Sequence, residues 1–444
     1  MQKKILIISR AFAPLNAIGS IRPTKIGKYL KINHGCHITV LTTVKKDIVV
    51  DQCLARDMKY FDDIIEVKTK SWIKSFVKKI RGYRTIDNKN YVKNNILSSH
   101  DQVEEKKRHV VMLNIKKYIG YITKFFESRS FYRNALIVLK NININNFDVI
   151  FSTYSPFASH QIAEYIKNKN PNIKWIADFR DPVLRDFDTL FGFGKYCRDF
   201  TKRVSRNADA VTAVSQGVLD ELYIMNYKNK HVIPNGFDIE DIEDIAINKH
   251  TEGLTFAYVG NLYNGKRDLS VIFKAIKELI DEGIIDPFKI HIIYAGQSKS
   301  TFLLQVNKFD LAECTTSFDF IEREKSLNIQ LESSILLLAS WNTSNSSGVV
   351  TGKFLEYMMM GKPILCTISG EKPNSLLKKM INEANIGFCY EESNDENDYY
   401  MLKDYILNQY NRFIGNKELV FEPNEGYIDK FNYKNIADQF YELF

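Results

Sequence analysis

Three stretches of the chain set charged or polar residues directly after an apolar run or at a helix start. In a parallel α/β sheet that is the position from which side chains reach a ligand. The first is Val259-Gly260-Asn261-Leu-Tyr-Asn-Gly265-Lys266-Arg267-Asp268. Glycines let backbone amides approach an anion, and Lys266 and Arg267 add full charges ahead of a helix start. The stretch reads as a phosphate cradle or, with equal right, as a strand–helix turn carrying solvated basic residues. The second is Thr351-Gly352-Lys353-Phe-Leu-Glu356, preceded by small residues and followed by Gly361-Lys-Pro363. Lys353 and Glu356 share a helix face, one suited to phosphate and the other able to accept hydrogen bonds from ribose hydroxyls. The same spacing also makes an ordinary surface ion pair. The third is Ala177-Asp178-Phe-Arg180-Asp181-Pro182, three charges in four positions, which either project into a cleft or satisfy one another in a salt-bridged turn. His160 falls in the first turns of a helix after another strand, where a capping or half-buried histidine is the ordinary reading.

The elements that must position these residues alternate. Short apolar runs predict strands at Lys4–Ser9, His37–Thr43, Asp63–Val67, Asp148–Ser152, Lys174–Asp178 and Ala210–Ser215, with amphipathic stretches such as Pro23–Ile32 and Ala158–Lys167 between them. The pattern restarts after a polar, acidic linker at 239–253. Strands then follow at Thr255–Val259, Ile290–Ala295, Ser317–Ile321, Ile335–Ala339 and Pro363–Thr367. Strands alternating with helices imply parallel sheets covered on both faces. The expected fold is therefore α/β, two Rossmann-like domains facing a cleft. A chain of 444 residues agrees, because single cores stop growing near roughly 250–300 residues.

Several function classes lose their usual signatures. There is no Gly-x-x-x-x-Gly-Lys-Ser/Thr loop, Gly-x-Ser-x-Gly elbow or His-Glu-x-x-His. Six scattered cysteines without Cys-x-x-Cys spacing argue against structural zinc and a disulfide framework, and suit a reducing cytoplasm. His34-Gly-Cys-His37 leads into a strand and lacks the partners zinc requires, so no metal is expected. The N-terminal run Ile5-Leu-Ile-Ile8 reads as a first strand rather than a signal peptide, and no apolar stretch is long enough to span a bilayer.

Taken in order, these motifs resemble the GT-B fold glycosyltransferases of the large retaining family 4, in the branch that builds bacterial surface polysaccharides. The resemblance is carried by Ala13-Pro-Leu-Asn-Ala-Ile-Gly19-Ser20-Ile-Arg22, Trp175-Ile-Ala-Asp-Phe-Arg-Asp-Pro182, Ala208-Asp-Ala-Val-Thr-Ala-Val-Ser215 and Val232-Ile-Pro-Asn-Gly-Phe-Asp238. Tyr258-Val-Gly-Asn261 with Lys266 and the stretch Thr351–Pro363 complete it. It implies an acceptor-binding domain over 1–238, a nucleotide-sugar-binding domain over 254–424, and a C-terminal segment, 425–444, whose helix returns to the first domain. It further implies that Lys266 binds the diphosphate of a UDP- or GDP-sugar and that Glu356 holds the ribose. Gly260, Asn261, Arg267, Thr351, Gly352 and Lys353 would complete the donor site, and the Gly19–Ser20 loop would close over the phosphates. Arg22, Asp178, Arg180 and Asp181 would face the acceptor, with Asp181 and His160 as candidate catalytic groups beside Lys266 and Glu356. No cofactor beyond the nucleotide sugar is implied. Many members carry an arginine where this chain has Asn261. The expected reaction is hexosyl transfer to a lipid-linked or saccharide acceptor. A UDP-sugar 2-epimerase and a non-catalytic GT-B subunit that binds glycan or a partner are the alternatives.

The net charge of +8 is unevenly placed. Residues 68–133 hold 17 Lys and Arg against 5 acids, a local balance of +12. Trp72, Phe76 and Ile80 fall on one helical face, with Lys74, Lys78, Lys79 and Arg81 around it. No RNA-binding motif accompanies them, so nucleic acid is not the expected partner. Basic helices with aromatic faces suit the anionic inner face of a plasma membrane, which is the expected partner of a cytoplasmic, peripheral protein; an amphipathic helix packed on its own domain with a solvated basic face is the alternative.

Overall fold

The computed structural model describes residues 2–44, 48–69, 125–183, 193–222, 229–243, 245, 252–344 and 350–444. The backbone divides into two units, Met1–Pro234 with Ala437–Phe444, and Asn235–Ile436. Each is built on one wholly parallel sheet.

The first sheet runs β3-β2-β1-β4-β5-β6-β7. Its strands are β1 (Lys4–Ile8), β2 (His37–Thr43), β3 (Asp63–Val67), β4 (Val149–Tyr154), β5 (Lys174–Phe179), β6 (Ala210–Ala213) and β7 (Lys230–Val232). β4 is buried along its whole length, and β1 after its first residue, as expected of strands covered on both faces. The strand order reverses between β1 and β4, which pair in register from Ile5↔Val149 to Ile8↔Ser152. Trp175, Phe151, Phe179 and Phe200 are among the largest fully buried side chains here.

The second sheet runs β10-β9-β8-β11-β12-β13. It comprises β8 (Leu254–Val259), β9 (Ile290–Ala295), β10 (Thr315–Phe318), β11 (Ile335–Trp341), β12 (Ile364–Ser369) and β13 (Gly387–Glu391). Two apolar clusters, one including Leu254, Phe273 and Tyr294 and the other Leu336, Phe354 and Ile381, form its core. The order reverses between β8 and β11. Their pairing is confined to Ile335↔Phe256 and Leu336↔Ala257, whereas β11 stays paired with β12 as far as Trp341↔Ser369. The carboxyl ends of β8 and β11 therefore part, which opens the crevice where ligands bind in such sheets.

All eleven strands expected from sequence are present, several with shifted ends. Two edge strands escaped the pattern. β7 is three residues long and polar (Lys-His-Val), and β13 opens on Gly387 at φ +148. The last helix, Tyr433–Tyr441, carries the chain back into the first unit. There Phe440 meets Phe151 edge-on at 5.1 Å, His34 Nε2 lies 2.7 Å from Asp438 Oδ1, and the His34 ring stacks on Tyr441. The C-terminal helix thus returns to the N-terminal domain.

Candidate functional site

In the second unit, Gly260 follows β8 at φ +148, a conformation other residues rarely adopt. Its N–H donates to Ala295 O at 2.8 Å, and its own carbonyl accepts from Tyr294 Oη at 2.9 Å. Gly296 lies so close that a Cβ there would stand 2.1 Å from Gly260 O. This backbone packing fixes the start of the loop. Asn261 then turns its side chain inward, where Oδ1 accepts from Tyr263 N–H at 2.6 Å and from Ser298 Oγ at 3.2 Å. The result is a tight 3-10 turn over Tyr263–Gly265, and the following helix, α1 (Ser270–Asp281), starts only four residues after Lys266. Asp268 covers that start by accepting the Ser270 N–H at 2.8 Å. The helix dipole is therefore partly met by the chain itself, and the charges rather than the dipole are what the turn offers.

Lys266 is exposed and lines a cavity of about 900 Å³ with Lys274, Lys308, Trp341, Thr367 and Tyr390 among its walls. Arg267 is buried and packs against the Tyr263 and Trp341 rings, which themselves meet edge-on at 6.1 Å. Sequence places Lys266 and Arg267 side by side; the structure separates them.

Helix α2 (Gly352–Met359) begins behind Thr351, whose hydroxyl accepts the Phe354 N–H at 3.4 Å. The first amides of the helix, at Gly352 and Lys353, have no intrahelical acceptor. Tyr357 anchors the helix to β8 by accepting the Val259 N–H at 3.4 Å. A Cβ on Gly260 would lie 3.7 Å from Lys353 Cε, so the two glycine-containing motifs meet at the switch point. Lys353 Nζ lies 2.6 Å from Glu356 Oε1, and Arg323 approaches the other carboxylate oxygen at 3.6 Å while also facing Asp241 at 3.6 Å. Burial would raise the Glu356 carboxyl; the Lys353 and Arg323 cations, with hydrogen bonds from Lys353 and Gln330, outweigh it and bring it down to about 2. Glu356 is therefore ionised throughout the physiological range and can only accept. Arg323 was missed from sequence. It opens a helix shortly after β10, and its place near a strand's carboxyl end was the available signal.

The first unit treats its charges differently. Arg22 and Asp178 are fully buried and paired, Nε to Oδ2 at 3.1 Å and Nη2 to Oδ1 at 2.9 Å. Thr153 and Thr212 donate to the same carboxylate, and Arg22 also donates to the Ile233 carbonyl at 2.8 Å. Burial would raise the Asp178 carboxyl, but Arg22 with these hydrogen bonds holds it below its usual range. Self-satisfaction is the outcome, yet the partner is the distant Arg22 rather than the neighbouring Arg180. Neither group is offered to an acceptor.

Arg180 is half-buried and donates to three carbonyls, those of Tyr154, Ser155 and Gly19. The Gly19 carbonyl is free for it because Pro23, four residues on, has no N–H to give. Gly19 and Ser20, expected in a closing loop, instead form the first turn of the helix Ile18–His34. Asp181 is exposed. His160 is neither a cap nor half-buried. It lies wholly inside, with Nδ1 2.8 Å from Ser152 Oγ and its ring 4.6 Å from Phe179. Burial chiefly, with Arg180 adding to it against the pull of Asp178, lowers its pKa to about 3. It is a neutral core histidine, and burial removes it from the catalytic candidates. The expected membrane-facing residues Trp72, Lys74, Phe76, Lys78, Lys79 and Arg81 lie outside the described residues. The described end of that basic segment, 125–133, is helical and joins the core through Phe131, while Glu127 pairs with Arg10. Among the described residues no helix is long and apolar enough to cross a membrane.

No protein-family model and no curated protein matches the chain. Solved structures do. Sucrose-phosphate synthase from Thermosynechococcus elongatus is similar at 11% identity and TM-score 0.54, covering 100% of this chain and 98% of the other. The lipopolysaccharide outer core galactosyltransferase WaaB, in its apo form, is similar at 13% identity and TM-score 0.52, covering 99% of each chain. A structure described as trehalose-6-phosphate from E. coli bound with UDP-2-fluoro glucose is similar at 12% identity and TM-score 0.55, covering 99% of this chain and 98% of that one. The chain has the GT-B fold: two parallel-sheet α/β units with a C-terminal helix that returns to the first.

Proposed function

We propose that this protein is a glycosyltransferase that moves a hexosyl group, with retention, from a UDP- or GDP-sugar to a lipid-linked or saccharide acceptor in surface-polysaccharide biosynthesis. The second unit binds the donor and the first the acceptor. One observation carries the reading. At the crevice between β8 and β11, Gly260, Lys353 and the first amides of α2 converge beside Glu356, a carboxylate held ionised at the carboxyl end of the sheet.

The chemistry follows from charge. The difficult step is departure of a nucleoside diphosphate, whose growing negative charge Lys266, Lys353 and the free amides at Gly352 and Lys353 stabilise from fixed positions. Glu356, as an obligate acceptor with lone pairs beyond those its two cations use, suits hydroxyl donors on a ribose. The acceptor hydroxyl then attacks the anomeric carbon on the face the diphosphate leaves, and a diphosphate oxygen takes its proton. WaaB, by its description a galactosyltransferase of the lipopolysaccharide outer core, supports the pathway assignment.

Calorimetric titration with UDP and GDP tests the donor assignment. One of them binds, and Lys266→Ala weakens it by about tenfold or more, the loss of a charge-assisted hydrogen bond. Failure of both to bind at millimolar concentration would refute the reading. The basic segment 68–133 docks the protein on the inner membrane leaflet. Flotation with anionic liposomes, lost in high salt, is the expected result, and salt-insensitive or absent binding sinks that part.

A further inference from the structure

Arg267 is a buried cation for which the described residues supply no counter-ion. Its residue is 8% exposed, yet among the described residues no carboxylate pairs with it. One guanidinium nitrogen donates to the Asn261 carbonyl at 3.1 Å, and the guanidinium carbon lies 4.5 Å from the centre of the Tyr263 ring and 5.9 Å from that of Trp341. The Nε–H is buried with no acceptor. Aromatic faces offset part of the cost of burying such a charge, by about 2 kcal/mol when desolvated. The Tyr258 hydroxyl also hydrogen-bonds the guanidinium, but a carbonyl, a hydroxyl and two rings fall short of a counter-ion, because a buried charge without one costs several kcal/mol. The nearest acid in sequence, Asp268, is turned to the Ser270 amide.

The cover over this charge is strained. Tyr263 has φ +50, in the left-handed region, which costs a bulky residue about 1–3 kcal/mol. Asn261 holds it there through the Tyr263 N–H, and the ring is 52% exposed on its outer side. A flexible glycine, Gly265 at φ +85 with open space around it, follows two residues later. A strained aromatic is thus laid over an unbalanced cation, beside Lys266, with a hinge at its back.

Resting on the donor reading above, we propose that Tyr263 is a gate over Arg267. The phosphates of the nucleoside diphosphate draw the guanidinium away from the two rings, Tyr263 relaxes aside, and Arg267 joins Lys266 as the second cation of the site. Ligand binding then supplies the counter-ion and releases the backbone strain together. The gate makes the site respond to a polyphosphate in preference to a single weak anion, since one charge draws the guanidinium out less strongly than two.

The test is titration of the full chain with UDP, GDP and inorganic pyrophosphate, read by calorimetry and by tryptophan fluorescence, with Trp341→Phe to assign the optical signal. Binding changes the Trp341 emission as the guanidinium leaves its ring. Arg267→Ala weakens all diphosphates by about tenfold, the worth of a charge-assisted hydrogen bond, and Arg267→Lys recovers part of it. Tyr263→Ala, which removes the cover, tightens binding several-fold, and Tyr263→Phe, which keeps it, does not. Tyr263→Ala binding no tighter than wild type would overturn the gate, even if the Arg267 variants fold poorly. Nucleotides binding normally to folded Arg267→Ala would overturn the role of Arg267 while leaving the donor reading intact. Pyrophosphate binding through Arg267 without any nucleotide binding would leave the gate standing and sink the donor reading. Absence of binding by all three probes refutes both.

Discussion

The two sheets reverse strand order in the same way, and each sets charged residues at the carboxyl ends of its strands, but they settle those charges in opposite senses. In the first unit Asp178 meets Arg22 and two threonines, Arg180 meets three backbone carbonyls, and Arg10 meets Glu127. In the second, Lys266 stands exposed at a cavity, Arg267 is buried without a carboxylate, and Glu356 is held by two cations. Charges after a strand are therefore not by themselves a binding site. What distinguishes the second crevice is positive charge that no carboxylate among the described residues neutralises, and an anionic ligand is the group that would complete it.

That contrast can be broken in graded steps. The largest effect is expected at Asp178. Asp178→Ala leaves Arg22 buried and unpaired, and should cost about 3–5 kcal/mol in urea unfolding of the first unit. A loss under 1 kcal/mol would mean the pair is not structural. Glu356→Gln comes next. The wild-type carboxyl is depressed from 4.5 to about 2, so its contribution is present above pH 4.5 and is lost as pH falls through about 2. The variant should lose up to about 3 kcal/mol at pH 7, and the difference should vanish in strong acid. His160→Leu is milder, about 1 kcal/mol at pH 7 for the Ser152 hydrogen bond. Its pH profile is the more telling readout. His160 is depressed from 6.5 to about 3, so the unfolded state takes up the proton first and wild-type stability falls as pH drops below 6.5. The variant should lack that slope; an unchanged slope would assign it to other groups. Lys266→Ala should sit at the bottom of the stability scale, within about 0.5 kcal/mol, while showing its effect in nucleotide affinity.

The sequence made the framework legible because buried parallel strands are continuous apolar runs. Ile335-Leu-Leu-Leu-Ala339 is readable in isolation, and the crevice follows once strands and helices are seen to alternate. β7 and β13 were not readable, since a three-residue edge strand and one opening on glycine leave no run to detect. The site was legible in part. Gly260, Lys353 and Glu356 converge, as motifs separated by nearly a hundred residues give no reason to foresee without a topology. Pairings were the weakest inference. Spacing set Asp178 beside Arg180 and Lys266 beside Arg267, but Arg180 lies just past the end of β5, where the strand's alternation no longer fixes direction, and a tight turn can send neighbours apart. His160 looked polar and available in a helix's first turns. Only the packing of Phe179, Trp175 and Phe200 around it shows that it is not.

Pro23 gives one arrangement in the first unit a different kind of significance. Because it denies Gly19 an intrahelical partner, the opening turn of the helix Ile18–His34 is tied to the end of β5 through Arg180 as well as to its own helix, where the Thr24 hydroxyl donates to the Ser20 carbonyl at 2.7 Å. Mechanically, that turn bridges the sheet and the helix. A shift of the strand-end segment that carries Arg180 and Asp181 would be transmitted to residues 18–20 directly, while the helix beyond Pro23 stays anchored by its own ladder.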